Sequence, residues 1–200
     1  MLRGANSAPQ IEAMDFSPID SYGCAKVRAH RIVERFRHER RVFACTGILY
    51  NHESPRRRPE FVTRKITRSV ARIKAGLDQH LSIGNLEARR DWGYAPDYVR
   101  AMQAMLEHTE PRDFLIATGE THSVREFVKV AFSRVGLRYE DHVMIDPDLF
   151  RPEGSTQMCG SVALIRRTLG WRSRKAFYDI VGEMVDYDVE MIRAEQTGNN

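Results

Sequence analysis

Val42-Phe43-Ala44-Cys45-Thr46-Gly47-Ile48-Leu49-Tyr50 is an almost wholly apolar run, as a parallel β-strand covered on both faces should be. Just before it, Tyr22 to Glu39 has helical spacing, with Ala25, Ala29, Ile32, Val33 and Phe36 on one side. Ser17-Pro18-Ile19-Asp20-Ser21 supplies a turn and helix-start chemistry ahead of that helix. Just after the strand, Asn51 to Pro59 is a polar loop holding Arg56, Arg57 and Arg58. A helix, a central strand and a polar loop at the strand's carboxyl end are the beginnings of an α/β fold.

The alternation continues downstream. Phe61 to Ala75 predicts a second amphipathic helix, with Phe61, Ile66, Val70 and Ile73 inward and Gly76 ending it. Leu81 to Gly84 predicts a short strand, and Asp91-Trp92-Gly93 a turn. Pro96 opens a helix to His108, with Tyr98, Met102, Met105 and Leu106 inward. Asp113 to Ala117 and Val143 to Ile145 read as strands. Ser123 and Glu126 have capping-box spacing for a helix running to Gly136. Helices at Val162 to Leu169 and Lys175 to Ala194 complete the order, so the class is α/β. Doubly wound nucleotide folds begin with a strand, a glycine-rich turn and a helix. No GxGxxG or GxxGxxG stands anywhere in the 200 residues, and the chain reads as starting partway through its own fold.

Bulk properties set bounds on function. The hydrophobic share is 42% and the charged share 29%, ordinary for a globular chain with a core. The net charge of +4 suits an anionic ligand, and arginine favours two-pronged contact with phosphate or carboxylate. The arginine runs at 35–41 and 56–58 are not interleaved with aromatics and match no nucleic-acid module. Cys24, Cys45 and Cys159 are odd in number and have no CxxC spacing, which predicts reduced thiols in a cytoplasmic protein without a zinc site. His30, His38, His80, His108, His122 and His142 show no metal spacing and read as surface residues. Met1 to Gln10 has no apolar h-region, which predicts no signal peptide, and no stretch is long and apolar enough for a membrane span.

Two groups of residues carry chemistry. Tyr22 and Lys26 are four apart, which puts both on one helical face. A phenol keeps its proton at neutral pH unless a neighbouring cation favours the phenolate; so tuned, it takes a proton from a sugar hydroxyl. The YxxxK spacing alone is of low specificity, and an unrelated Tyr and Lys on a helix is the plain reading. The second group is Asn51-His52-Glu53-Ser54-Pro55-Arg56-Arg57-Arg58, at the carboxyl end of the strand, where open α/β sheets bind ligands. Its arginines suit a pyrophosphate or a ribose 2′-phosphate, and its plain reading is a solvated loop.

The same residues form part of a longer pattern. Tyr22-x-x-x-Lys26, Ile48-Leu49-Tyr50-Asn51-His52-Glu53-Ser54-Pro55-Arg56-Arg57, Phe61-Val62-Thr63-Arg64-Lys65-Ile66-Thr67, Gly84-Asn85-Leu86, Arg90-Asp91-Trp92-Gly93, Ile116-Ala117-Thr118-Gly119, Ser123-Val124-Arg125-Glu126-Phe127, Phe150-Arg151-Pro152 and Leu169-Gly170-Trp171 occur in that order. From about Pro9 to Asp188 the chain resembles the GDP-mannose 4,6-dehydratases, which are extended short-chain dehydrogenase/reductases. The resemblance implies a Rossmann-type α/β fold lacking its first strands and GxxGxxG turn. It implies that residues 1–50 are a remnant of the NADP-binding domain. Residues 51–200 are then mainly a nucleotide-sugar-binding domain with returning Rossmann elements.

By the same resemblance, Tyr22 is the catalytic tyrosine, and Lys26 supports its phenolate and holds the nicotinamide ribose. His52 and Arg57 contact NADP, while Asn51, Val62, Lys65, Arg90 and Arg151 line the GDP-mannose pocket. In the family reaction hydride leaves C4 of the mannose as the tyrosine takes the hydroxyl proton. A glutamate removes the C5 proton, water leaves from C6, and hydride returns to C6, giving GDP-4-dehydro-6-deoxy-D-mannose. The resemblance also implies a homo-oligomer, dimer or tetramer. The family's glutamate and its Ser/Thr neighbour have no counterpart here: Glu12, Asp15 and Asp20 stand in other places. The expectation is therefore a chain that alone binds NADP poorly and does not turn over GDP-mannose. The other readings are a non-catalytic partner of a full-length dehydratase and a weak nucleotide-sugar-binding module.

Overall fold

The computed structural model describes residues 9–149 and 158–198. Its elements are α1 (Ser21–Arg40), β1 (Gly47–Leu49), β2 (Asn51–Glu53), α2 (Val62–Lys74), β3 (Leu81–Ile83), β4 (Arg89–Arg90), β5 (Trp92–Tyr94), α3 (Ala95–Glu107), β6 (Phe114–Ile116), β7 (His122–Ser123), α4 (Val124–Arg134), β8 (Val143–Ile145), α5 (Ala163–Leu169) and α6 (Phe177–Gly198). Among the described residues no helix is long and apolar enough to cross a membrane. The chain divides into two compact units: residues 1–52, 90–121 and 154–174 in the first, and 53–89, 122–153 and 175–200 in the second.

In the first unit, α1 begins where Asp20, in extended conformation, accepts the Gly23 N–H on its Oδ1 at 2.6 Å. The helix stops at Arg41, which takes up left-handed backbone at φ 52°. Arg37 anchors its last turn, donating to Ala44 O at 2.8 Å and pairing with Asp113. β1 and β6 are parallel, in register Gly47↔Phe114, Ile48↔Leu115 and Leu49↔Ile116. The far edge of β6 is closed by a side chain: Leu115 N–H donates to Glu12 Oε1 at 3.0 Å. A carboxylate there blocks the edge against further strand pairing. Tyr98, Ala101 and Met105 of α3 pack with Phe114, Ile116, Ile165 and Trp171 as the core.

In the second unit, β3 and β8 are parallel, Leu81↔Val143 to Ile83↔Ile145, and α2, α4 and α6 pack together. α2 buries Thr63, Ile66, Thr67, Val70, Ala71 and Ile73, the stripe a period of 3.6 predicts. The expected capping box is formed at α4: Ser123 Oγ accepts from Glu126 N at 3.0 Å, and Glu126 Oε2 accepts from Ser123 N at 2.7 Å. Gly76 and Gly170, at φ 72° and 63°, follow α2 and α5 in the left-handed state that favours glycine.

Several expectations need correction. The strand expected over Val42–Tyr50 is regular only at Gly47–Leu49, and Val42 and Phe43 are exposed. Arg41's positive φ breaks the chain direction there, and among the described residues no ladder partner is paired with the first residues of the run. Asp91-Trp92-Gly93 is not a turn: Trp92 and Gly93 lie in β5. Met102 and Leu106 face solvent, and so do Ala25, Ala29, Ile32 and Phe36 of α1, which buries Gly23, Val27 and His30 instead. Phe61 is also outward, at the N-cap of α2. Two histidines are not surface residues: His30 is buried against Phe16 with Asp113 at 3.9 Å, and His122 stacks on Phe177 at 3.8 Å between centroids.

Candidate functional site

The first unit holds Tyr22, Lys26, Asn51, His52 and Arg90; the second holds Arg57, Val62 and Lys65; Arg151 lies outside the described residues.

Tyr22 is the second residue of α1 and is 70% exposed. One turn on, the Lys26 ammonium stands 5.4 Å from the centre of its ring, so the four-residue spacing does bring the pair together. Exposure leaves the phenol open to a ligand. The helix N-terminus places partial positive charge beside it, which favours an anionic oxygen. Asn51 and His52, both half-buried, follow from β1 into β2. His52 Nδ1 is 3.0 Å from Tyr50 O, which can only accept, so Nδ1 carries the proton and Nε2 of the neutral ring is an acceptor. Its ring also lies 5.4 Å from that of Tyr98. Tyr50 itself is tied to Gln10 through its hydroxyl, and burial and the nearby Asp91, Cys159 and Glu12 raise its pKa.

Arg90, half-buried in β4, bridges to Met158. Its neighbour Asp91 is 1% exposed. Asp91 Oδ1 accepts from Thr118 N at 2.8 Å and Thr118 Oγ1 at 2.7 Å, and Oδ2 accepts from Gly119 N at 3.0 Å and Gly160 N at 3.4 Å. Burial raises its carboxyl above the ordinary value of 3.8, against the lowering effect of those donors. Asp91 thus ties Thr118-Gly119 to Gly160 directly beside the candidate substrate residue Arg90.

In the second unit Arg57 is held by Glu53, with its Nε 3.4 Å from Oε2, and its guanidinium carbon stands 3.6 Å from the centre of the Phe61 ring. Glu53 accepts from Thr63 Oγ1 at 2.6 Å. Burial raises the Glu53 carboxyl, with Thr63 and Arg57 opposing. Val62 is exposed at the start of α2, and Lys65 is half-buried one turn further along. A groove of about 810 Å³ on this unit is lined by Asp179, Glu183, Asp186 and Glu190 beside Arg134 and Lys175. Both cations are already paired, with Asp186 and Glu183, so the groove repels phosphate. Among the described residues no group of three or more His, Cys, Asp or Glu is placed to hold a metal.

Sequence alone assigns no role to the buried carboxylates Glu53 and Asp91. Glu53 stands in a loop-flanking position whose spacing to Arg57 carries no helical meaning, and only the fold brings Thr63 and Arg57 onto its carboxylate. Nothing local distinguishes Asp91, whose donors come from positions 27, 28 and 69 residues away.

The fold is shared with solved structures of low sequence identity. RMD from Pseudomonas aeruginosa, solved with NADPH, superposes with a TM-score of 0.84 at 19% identity, covering 92% of this chain and 60% of that one. The dTDP-glucose 4,6-dehydratase of Bacillus anthracis, solved with NAD, gives 0.78 at 16% identity, covering 94% and 58%. In sequence, GDP-mannose 4,6 dehydratase 1 of Arabidopsis thaliana is 45% identical over 193 residues, covering 96% of this chain and 54% of the relative. The Homo sapiens GDP-mannose 4,6 dehydratase is 46% identical over 202 residues, covering 92% and 54%. The chain spans about half the length of these curated relatives. The GDP-mannose 4,6 dehydratase family model matches residues 4–184, and with these identities the chain belongs to that family.

Proposed function

We propose that this chain supplies the Tyr22/Lys26 pair and the nucleotide-sugar contacts of a GDP-mannose 4,6-dehydratase, a hydro-lyase that works with NADP. The observation that carries the reading is the exposed Tyr22 with Lys26 stacked one turn behind it on α1, followed by Asn51 and His52 at the end of β1. Tyr22 takes the proton of the sugar hydroxyl as that carbon is oxidised, and Lys26 and the helix N-terminus favour the phenolate. A nicotinamide, when bound, supplies the acceptor and later the donor of the hydride. His52 Nε2 and Lys26 hold its ribose end and Arg57 one of its phosphates; Asn51, Val62, Lys65, Arg90 and Arg151 hold the sugar nucleotide. The residues present fit a nicotinamide ribose and an anion. They include no glycine-rich turn for the pyrophosphate, so the 200 residues alone bind NADP weakly and do not complete the dehydration.

On this reading residues 1–50 are the cofactor side and residues 51–200 mainly the nucleotide-sugar side. A homo-oligomeric cytoplasmic enzyme is the favoured setting, and the exposed apolar positions of α1, Ile32 at 52% and Phe36 beside it, support an assembly. Calorimetric titration of the purified chain with GDP-mannose, then NADP, tests the proposal. Binding of GDP-mannose that Asn51→Ala and Lys65→Ala each weaken, with weaker NADP binding, is the expected result. Absence of heat from GDP-mannose refutes the substrate assignment, and tight NADP binding refutes the weak-cofactor part.

A further inference from the structure

Of three successive arginines in the loop after β2, only the middle one is seated. Arg56 and Arg58 are exposed, whereas the Arg57 side chain is 19% exposed. Its contacts come from three directions, all within the second unit. Behind it lies Glu53, 1% exposed, whose Oε2 faces Arg57 Nε at 3.4 Å. Thr63 fixes that carboxylate, donating to the same Oε2 at 2.6 Å. Glu53 Oε1 and Arg57 Nε are both buried without a hydrogen-bond partner among the described residues, so Glu53 holds Arg57 as an ion pair through Oε2, with the charge of Arg57 favouring the carboxylate. Against the flat face of the guanidinium stands Phe61, at 3.6 Å from its ring centre. Below, Arg57 N–H donates to Ser54 O at 2.9 Å, which fixes the backbone from which the side chain springs.

The loop is itself tied down. Arg64 donates to Pro55 O through Nη1 and pairs through Nη2 with Asp188 Oδ1 at 2.8 Å, and Asp188 Oδ2 accepts from Thr67 Oγ1 at 2.7 Å. The Glu53 contact uses Nε and the Phe61 contact uses the π face. Neither consumes the terminal Nη edge, which is the edge that forks onto a phosphate. Arg56 and Arg58 keep the loop's charge positive despite Glu53. An aromatic at the N-cap of a helix, 46% exposed, has little value as core, but it is well placed as a platform for a cation.

We infer that Glu53, Thr63 and Phe61 form a fixed seat for the Arg57 guanidinium, so that it meets a cofactor phosphate as a pre-oriented fork rather than as a mobile cation. Long side chains lose rotamer freedom on binding, and a side chain already held in its bound orientation loses less. Glu53, Thr63 and Phe61 are positioning residues: they act through Arg57. The inference rests on the proposed phosphate contact of Arg57, and its test separates the two.

The arginine Nε–Hε signals of the isotope-labelled full chain, followed by NMR during titration with inorganic pyrophosphate, provide that test. In the wild-type chain the Arg57 Hε is expected to be resolved and slow to exchange, and pyrophosphate is expected to shift it. In E53Q and in F61L the apparent pyrophosphate affinity read at Arg57 falls about tenfold, the scale of one charge-assisted contact. F61Y, which keeps the ring, retains the wild-type response. The Arg64 signal, held by Asp188, stays unchanged in all three variants and reports that the unit is folded. If pyrophosphate shifts Arg57 equally in wild type, E53Q and F61L, the phosphate contact stands and the seat is overturned. If Arg57 is ordered but pyrophosphate leaves it unmoved, the phosphate contact itself is overturned, and the inference falls with it. An Arg57 signal averaged with those of Arg56 and Arg58 in the wild type overturns the seat directly.

Discussion

Asp91→Asn should loosen one residue of the Thr118-Gly119 segment and leave its neighbour alone. In the native carboxylate, Oδ1 serves two donors, Thr118 N and Thr118 Oγ1, while Oδ2 serves Gly119 N at 3.0 Å and faces Gly160 N at 3.4 Å. An asparagine keeps one oxygen, and the amide orients so that this oxygen takes the two Thr118 donors. Its NH2 then faces the Gly119 and Gly160 N–H groups, donor against donor. A hydrogen bond to a charged acceptor contributes about 1.5–3 kcal/mol. Gly119 is exposed, so water replaces part of that, and the lower end, about 1.5 kcal/mol, applies. Amide hydrogen exchange is the assay. Gly119 should exchange about tenfold faster in the variant, with Thr118 within about twofold of wild type. Asp91→Ala, which removes both oxygens, should accelerate both. An unchanged Gly119 rate in Asp91→Asn, or equal acceleration of Thr118 and Gly119, would refute the division of labour between the two oxygens.

Other perturbations follow from the same structure. Ser123→Ala removes one half of the α4 capping box and should lower stability by about 1 kcal/mol in denaturant melts, with no change indicating that the cap contributes nothing. Gly93→Ala puts a methyl into the Tyr98 ring and should destabilise by about 2–3 kcal/mol; a neutral result would mean that β5 and α3 are not packed as described. Asp188 is raised above its ordinary 3.8 mainly by burial, with Thr67 and Arg64 opposing. The folded chain therefore holds that proton more tightly than the unfolded one. The resulting stability is fully present below 3.8 and is lost as pH rises through the raised value. Urea midpoints measured against pH should fall more steeply with rising pH in the wild type than in Asp188→Asn, and parallel curves would contradict the shift.

The legible parts of this chain are those whose chemistry is local. The start of α1 at Asp20, the Ser123/Glu126 box and the stops at Gly76 and Gly170 each depend on residues within a few positions. The inward face of a helix is less accessible. On α3, Tyr98, Ala101 and Met105 form one apolar stripe and Val99, Met102 and Leu106 another of the same spacing; only packing against Phe114 and Ile165 selects the first. On α1 the more apolar stripe, through Ile32 and Phe36, is the exposed one. Strand length depends on the partner: the run from Val42 is regular only where β6 pairs with it. Within the candidate site the Tyr22/Lys26 pairing followed from spacing alone. The support of Arg57 by Glu53 and Thr63, and of Thr118-Gly119 by Asp91, is built from side chains that only the fold brings together.

The central claim is that this chain brings the proton-transferring tyrosine of GDP-mannose dehydration. Its most direct test is a chimera, in which the part of the Arabidopsis thaliana relative that precedes the matched segment is joined ahead of these residues and assayed with NADP and GDP-mannose by mass spectrometry of the sugar nucleotide. The chimera is expected to give GDP-4-dehydro-6-deoxy-D-mannose and the 200 residues alone none, and turnover is expected to fall by at least about a hundredfold in the Tyr22→Phe chimera, the lower end of what a positioned acid–base group contributes. Turnover that survives Tyr22→Phe, or steady turnover by the 200 residues alone, would contradict that claim.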